Sequence, residues 1–269
     1  MKLQLPRLQP ERPSRSKKKG HAFRFGTLNG NGQYAYDDYL YMAVVGEFDA
    51  LVITEPYVDT EGPEGRLAKY QLNEALYAGY DLYITENTFI YLRRDSFGRR
   101  VVLRPTPIQQ GRAQSLLIKF HHPDTQAIEH LLLIGVYAYQ SGTDFENDTA
   151  PRDLRHALSQ QIAKITTTFE NVTPIIMGDL QNTINNSPLH SSNKRRKQTP
   201  THSNILHMAT SLQLTSAVPH FHPDKPYHTY RRYGLDHILV PLNCTQPGKI
   251  TAAAIWRPHR PLHSPTHAS

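Results

Sequence analysis

Polar side chains that could do chemistry recur where apolar segments of the sequence end. Asn29 and Asn31 follow the segment FRFGTL, Glu55 ends LVITE, and Asp179 follows PIIMG. Carboxylate and carboxamide oxygens are ligands of hard divalent cations, and a carboxamide nitrogen can donate to a phosphate oxygen. Asn-Gly is also a strong hairpin signal, and an acid after a strand is often a cap or turn residue, so each of these residues alone has a structural interpretation as well.

Two further residues extend this pattern. Tyr137 ends LLIGVY, and Asp236 begins DHILVP. Glu55 is the hardest to explain structurally, because a glutamate between an apolar run and a proline has no obvious capping role. Strand ends converge on one edge of a sheet, and α/β sheets bind ligands at such an edge. The sequence therefore predicts a single site built from strand ends.

The elements that must position these residues follow from apolar periodicity. Helices are predicted at 34–48, 66–80, 153–169 and 204–214. Strands are predicted at 23–28, 49–56, 81–94, 99–105, 115–120, 130–139, 173–180 (with a break at Gly178), 227–231, 235–241 and 250–256. The sequence contains no internal repeat. The expected class is α/β.

The order of these elements predicts one domain. Residues 1–20 are basic and rich in proline without apolar periodicity, which is typical of a flexible arm. Residues 21–269 are expected to form a single domain that acts as a monomer. Within it, residues 181–203 are rich in Asn, Ser, Lys and Pro and are too long for a simple connection, so they are either functional or disordered.

Composition excludes several classes of protein. The chain has 269 residues, of which 38% are hydrophobic, so it can bury a substantial core. Its one cysteine, Cys244, excludes an internal disulfide framework and a multi-cysteine zinc site. The longest apolar run, 131–139, is shorter than the roughly 20 residues of a membrane span. Because the N-terminus also lacks an apolar signal segment, an intracellular protein is expected.

Charge is distributed unevenly along the chain. Residues 1–20 hold seven Lys or Arg against one acid, and residues 181–269 hold ten against two, whereas the middle is acidic. Basic ends favour a polyanionic partner, with phosphates as the contacted groups. The runs SRSKKKG (14–20) and NKRRKQ (193–198), taken singly, are equally typical of solvated surface or of a nuclear-import signal. A nuclear location is therefore expected.

The order and spacing of these motifs resemble the endonuclease/exonuclease/phosphatase superfamily, which includes DNase I, apurinic/apyrimidinic endonucleases and the endonucleases of LINE-type retrotransposons. The opening motif of that family matches TLNGNG, which implies that Asn29 and Asn31 lie at the metal and the phosphate. The glutamate motif matches ITEP and implies that Glu55 is a metal ligand. The resemblance implies two packed, mostly antiparallel β-sheets flanked by helices.

The later motifs imply further roles. The family's catalytic tyrosine in V-Y-A-P matches Tyr137 in GVYAYQS, and its G-D-x-N matches MGDLQN, so Asp179 would activate the attacking water. YHTYRRYGLDHILVP is similar to the retrotransposon version of the motif and implies that Asp236 orients the catalytic histidine. The cofactor implied is Mg²⁺, and the implied substrate is DNA.

Two positions depart from the family pattern. Gln181 stands where G-D-x-N has asparagine, unless Asn182 takes that place. The family ends on S-D-H, whereas this chain ends on HSPTHAS, so His267 matches the histidine and Thr266 replaces the metal-binding aspartate. A neutral hydroxyl is a weaker ligand for Mg²⁺, and Mn²⁺ could compensate because it binds oxygen and nitrogen sites more readily.

Three classes of function are compatible with these residues. The favoured one is an Mg²⁺-dependent phosphodiesterase that nicks DNA, of the retrotransposon type. The second keeps the fold and hydrolyses a phosphomonoester or a phospholipid. The third is a non-catalytic remnant that binds nucleic acid, and the altered C-terminal motif makes it a serious rival.

Overall fold

The computed structural model describes residues 23–30, 36–56, 72–97, 101–109, 111–121, 127–139, 149–180, 208–222 and 236–245. The predicted basic arm, the loop 181–203 and the predicted strands at 227–231 and 250–256 lie outside these ranges.

Four strands form the first sheet. They are β1 (Phe25–Asn29), β2 (Ala50–Thr54), β3 (Tyr80–Ile84) and β4 (Thr88–Arg93). Their spatial order is β1-β2-β4-β3, in which β1 and β2 are parallel and the other pairs are antiparallel.

Six strands form the second sheet. They are β5 (Val101–Ile108), β6 (Ala113–His121), β7 (Ile128–Tyr137), β8 (Val172–Asp179), β9 (Leu214–Ser216) and β10 (Asp236–Pro241). Their order is β5-β6-β7-β8-β10-β9, and only β7 and β8 run parallel. A parallel pair needs a crossover connection, and here a long helix supplies it.

The helices flank the sheets. They are α1 (Tyr36–Val45), α2 (Arg94–Phe97), α3 (Ala150–Thr168) and α4 (Ala217–Phe221), with a 3₁₀ turn at Leu242–Thr245. Helical turns also occupy 72–77 and 208–211. The crossover helix α3 buries Leu154, Leu158, Ile162 and Ile165, whose spacing of three and four residues puts them on one face. None of the helices in the described ranges is long and apolar enough to span a membrane.

The helices and the two sheets form four layers, with an apolar cluster between each pair of neighbouring layers. Between the sheets, Val52 and Ile90 of the four-stranded sheet pack with Leu133 and Met177 of the six-stranded sheet. Two outer clusters bury the other faces. Residues of α1, including Tyr39, cover the four-stranded sheet, and α3 covers the six-stranded sheet. The predicted fold class, two packed and mostly antiparallel sheets flanked by helices, is confirmed.

Three local predictions need correction. β8 continues through Gly178 to Asp179, because this glycine adopts a φ of 138° that keeps it in the ladder. The segment 81–94 is a hairpin of β3 and β4, whose turn is held by a 2.9 Å bond from the Thr85 N–H to the Thr88 carbonyl. The predicted helix 204–214 ends before β9, where Gln213 takes a left-handed φ of 54°.

Candidate active site

Three predicted site residues come from neighbouring strands of the six-stranded sheet. Tyr137 ends β7 and pairs in register with Asp179, which ends β8. Asp179 in turn pairs with Asp236, which begins β10. Because β10 runs antiparallel to β8, its first residue meets the last residue of β8. The three side chains therefore form a row across one end of this sheet.

Two more come from the four-stranded sheet. Asn29 ends β1 and pairs with Thr54, the last residue of β2. Glu55 follows immediately in a left-handed conformation with a φ of 48°, and its N–H donates to the Asn87 carbonyl at 3.1 Å. A glutamate rarely adopts this backbone conformation, and such outliers concentrate at functional sites.

Hydrogen bonds join the two sheets at this end. The Asn29 Nδ2 donates to Asp179 Oδ2 at 2.6 Å. The Tyr137 hydroxyl donates to Glu55 Oε1. The structure thus brings Asn29, Glu55, Tyr137, Asp179 and Asp236 together, and we call these five residues the polar edge.

Gly30 and Gly178 make this close approach sterically feasible. A Cβ on Gly178 would overlap with the Val136 carbonyl oxygen and lie 3.1 Å from a methyl of Thr54 in the opposite sheet. A Cβ on Gly30 would overlap with the Tyr39 hydroxyl, while the Gly30 N–H donates to the Thr54 carbonyl at 2.7 Å. Both glycines therefore sit where the backbone must come close to its neighbours.

The polar edge buries charge. Asp179 is 1% exposed and Asp236 is 8% exposed. Burying a carboxylate costs free energy unless a donor or a cation compensates it. The Asn29 amide supplies one such donor to Asp179. A fold that places two buried carboxylates side by side is more consistent with a site than with ordinary packing.

Tyr137 is held in its neutral form. Its pKa is raised above the ordinary value of 10.0, mainly by burial and then by the hydrogen bond and the negative charge of Glu55. The positive charge of Arg112 acts in the opposite direction and lowers the pKa of Tyr137. The phenol therefore remains a hydrogen-bond donor at neutral pH.

The donor set fits Mg²⁺ better than a softer metal. The polar edge offers carboxylate and amide oxygens and no sulfur. Mg²⁺ is usually held by one or two carboxylates and completes its octahedron with waters and substrate phosphates. In the described ranges, no three Asp, Glu, His or Cys residues are placed to hold a metal by themselves. Glu55, which is partly exposed, is suited to hold such an ion together with a substrate.

Several predicted site residues are outside the described ranges: Asn31, Gln181, Thr266 and His267. Their roles remain predictions. The histidine beside Asp236 is no substitute for His267, because His237 is fully buried and its Nδ1 lies 3.0 Å from the Ser216 hydroxyl. This histidine belongs to the interior.

One residue at this end of the sheets was not predicted from the sequence. Arg112, in the turn between β5 and β6, has its guanidinium carbon 4.6 Å from the centre of the Tyr137 ring. A lone arginine in the segment QGRAQ carries no motif. The strand register is what brings it to Tyr137, whose N–H donates to the Arg112 carbonyl at 2.7 Å.

Comparison with known proteins identifies the fold. No family model matches the sequence, and no curated protein matches it. Among solved structures, the chain is similar to the 3′ phosphatase NExo from Neisseria bound to product DNA hairpin, with a TM-score of 0.54 and 14% identity over 82% of this chain and 88% of that one. An AP endonuclease from Archaeoglobus fulgidus gives a TM-score of 0.50 and 13% identity over 81% and 86%.

A third similar structure is the endonuclease domain of TRAS1, a telomere-specific non-LTR retrotransposon. Its TM-score is 0.47, with 12% identity over 82% of this chain and 85% of that one. The assignment of the fold rests on the other two structures.

Proposed function

We propose that this chain, which has the DNase I-like fold of the endonuclease/exonuclease/phosphatase superfamily, is a metal-dependent phosphodiesterase that nicks DNA. The observation that carries the proposal is the polar edge, where residues from both sheets meet through the Asn29–Asp179 and Tyr137–Glu55 hydrogen bonds. Hydrolysis of a phosphodiester needs a group to take a proton from water, and donors for the phosphate oxygens.

Asp179 is the residue proposed to activate the water. Its Oδ2 accepts the hydrogen bond from Asn29, which fixes the orientation of the carboxylate that takes the proton. The water oxygen then bonds to phosphorus while the bond from phosphorus to the leaving oxygen breaks, and the leaving oxygen takes up a proton from solvent. Tyr137, kept neutral, donates to a non-bridging phosphate oxygen once the substrate replaces Glu55 as its acceptor. Asp236 would orient His267, which is proposed to contact the phosphate.

Glu55 and Asn31 are the proposed ligands of Mg²⁺, with Mn²⁺ as an alternative ion. The bound ion would neutralise charge that develops on the phosphate and on the leaving oxygen. The left-handed backbone of Glu55 and its N–H bond to the Asn87 carbonyl hold that residue at the end of β2. A substrate phosphate and waters would supply the remaining ligands.

DNA is the proposed substrate because both ends of the sequence are basic. Contacts with phosphates confer affinity that does not depend on base sequence, which a nicking enzyme of the retrotransposon type needs for its first encounter with DNA.

The basic runs at 14–20 and 193–198 also support a nuclear location. A fluorescent fusion that enters nuclei equally well with and without residues 193–198 would contradict the role of that run.

Nicking of supercoiled plasmid tests the function. We expect the parent to convert supercoiled to open-circular DNA with Mg²⁺ or Mn²⁺ and not with EDTA. Glu55→Gln should slow nicking by at least about 100-fold without lowering the melting temperature, because it removes a ligand charge and keeps the shape. Glu129→Gln is the matched control, since Glu129 lies near the other end of β7. Equal rates for the two variants would refute the role of Glu55.

A second assay separates the alternative functions. The similarity to a 3′ phosphatase favours testing an oligonucleotide that ends in a 3′ phosphate. Release of inorganic phosphate without plasmid nicking would identify a phosphatase. Binding of DNA without either reaction, in both metals, would identify a non-catalytic remnant.

A further inference from the structure

Arg112 is fixed at the polar edge by its backbone. The turn between β5 and β6 places Gly111 at a φ of 76°. The Arg112 N–H donates to the Gln109 carbonyl at 3.0 Å, and its carbonyl accepts the N–H of Tyr137 at 2.7 Å. The Arg112 backbone is therefore held at the end of β7.

Buried hydrogen bonds tie the same turn to the other sheet. The Thr85 hydroxyl donates to the Gly111 carbonyl at 2.9 Å. The Gln114 amide donates to the Thr88 carbonyl at 2.9 Å and to the Thr88 hydroxyl at 3.0 Å. Since Thr85 and Thr88 bracket the turn that also anchors Glu55 through Asn87, one network sets the positions of Arg112 and Glu55.

Two aromatic rings hold the Arg112 side chain. Its guanidinium carbon lies 4.6 Å from the ring centre of Tyr137 and 4.5 Å from that of Tyr139. Both distances are within the range of a cation–π interaction. Tyr139 stands where the V-Y-A-P motif has its proline. The motif itself therefore does not supply this second ring.

The guanidinium of Arg112 has no polar partner among the described residues. No residue in the described ranges accepts a hydrogen bond from its nitrogens or forms an ion pair with it. The side chain is half-buried, so a ligand can reach it from solvent. A guanidinium has five N–H donors in a planar fork that matches phosphate oxygens, and aromatic contacts leave these donors available. The guanidinium of Arg112 is therefore oriented by the two rings and can donate hydrogen bonds to an anion.

We infer that Arg112, oriented by Tyr139, binds a phosphate group of the substrate beside the phosphate that contacts Tyr137. Arg112 is thus a substrate-binding residue and Tyr139 is its positioning residue. The inference rests on the proposed function for the identity of the ligand, a nucleic-acid phosphate. The existence of an anion site at Arg112 does not depend on the proposed function, because it is inferred from the contacts of Arg112 alone.

DNA binding without a divalent ion tests this inference, because the DNA then stays uncut. Fluorescence anisotropy of a labelled duplex would be measured from about 50 to 200 mM salt. Arg112→Met should weaken binding roughly tenfold and reduce the slope of log affinity against log salt by about one unit. Lys164→Met is the charge-matched control, because Lys164 is exposed near the end of α3 that leads to the start of β8, away from the polar edge.

Further variants separate binding from a structural role. Arg112→Lys should keep most of the slope, because it keeps the charge, and lose affinity, because it lacks the fork. Tyr139→Leu should weaken binding about threefold, and the double variant Arg112→Met with Tyr139→Leu should bind no worse than Arg112→Met alone, since Tyr139 acts through Arg112. If Arg112→Met matched Lys164→Met in affinity and slope, the inference would be wrong.

Inorganic phosphate distinguishes this failure from failure of the proposed function. A parent chain that neither binds nor nicks DNA would refute the proposed function. The anion site would still be judged by thermal melting in phosphate, which should stabilise the parent more than Arg112→Met or Arg112→Lys, because a ligand stabilises only the state that binds it. Equal stabilisation of the three proteins would overturn the inference.

Discussion

Tyr137 shows how the surroundings of one residue set its chemistry. Burial and the neighbouring Glu55 disfavour the phenolate, whereas Arg112 partly offsets them. The hydroxyl therefore stays protonated while the positive charge of Arg112 remains beside it, as the proposed phosphate site requires. Glu55 therefore has two uses, because it holds Tyr137 in the free protein and is proposed to hold the metal when substrate binds.

The raised pKa of Tyr137 gives a prediction about stability at alkaline pH. Because the folded state binds this proton more tightly than the unfolded state, the contribution to stability is fully present below the ordinary pKa of 10.0 and is lost as the pH rises above it. We expect the difference in free energy of unfolding between the parent and Tyr137→Phe to shrink as the pH rises above 10, measured by urea denaturation.

Tyr77→Phe is the control for this experiment, because Tyr77 is 81% exposed. Its difference from the parent should stay nearly constant over the same pH range. A Tyr137→Phe difference that is equally constant would show that the folded state does not retain this proton more tightly.

The sequence predicted the residues of the polar edge better than it predicted Arg112, and the reason is physical. Asn29, Glu55 and Asp179 end apolar runs, and strand ends must meet at an edge. Arg112 reaches Tyr137 only through the pairing of β6 with β7, in which Ala113 lies opposite Val136. Register is a property of two strands together, and one segment read alone does not contain it.

At the scale of elements, β8 connects the interior to the polar edge. Its residues Ile175 to Asp179 are all buried. A glycine in an apolar run predicts a break, yet β8 continues because Gly178 pairs with both Val136 and His237. Glycine here permits contact between sheets. The sequence could not reveal this, since the neighbour that requires it is in another strand.

Replacing Gly178 tests this interpretation of β8. Gly178→Ala should lower the free energy of unfolding by about 3 kcal/mol, because the new Cβ would meet the Val136 carbonyl in addition to the backbone strain. Gly79→Ala is the control. It also has a positive φ, of 87°, but nothing lies within 4 Å of its Cβ position, so a cost of about 1 kcal/mol is expected. Equal costs in chemical denaturation would show that the close approach at Gly178 is unimportant.

At the scale of the whole molecule, basic and acidic residues are concentrated in different parts of the sequence. The two basic regions, 1–20 and 181–269, flank an acidic middle that contains most of both sheets. Composition alone predicted this division, because charge counts do not depend on the fold. Where these regions lie relative to the polar edge depends on long-range packing, which composition does not encode.

Removal of these charges should change how salt affects DNA binding. Deleting residues 1–20 and replacing Lys194, Arg195, Arg196 and Lys197 with glutamine should flatten the plot of log affinity against log salt by about 0.9 for each DNA phosphate that the protein no longer neutralises. Lys164→Gln is the control, because Lys164 is exposed on α3. A slope that matches the parent after deletion and replacement would show that these runs are solvated surface.

The hydrogen bonds between the sheets also determine when the site can exist. Asn29 and Asp179 are 150 residues apart in the chain, and Glu55 and Tyr137 are 82 apart. Contacts between such distant segments require closure of long loops and form late in folding. During synthesis, Asn29 and Glu55 are made before β7 and β8, which carry their hydrogen-bond partners. A nascent chain therefore carries no assembled polar edge until β8 has been made, so the proposed hydrolysis of nucleic acid could not begin before that point.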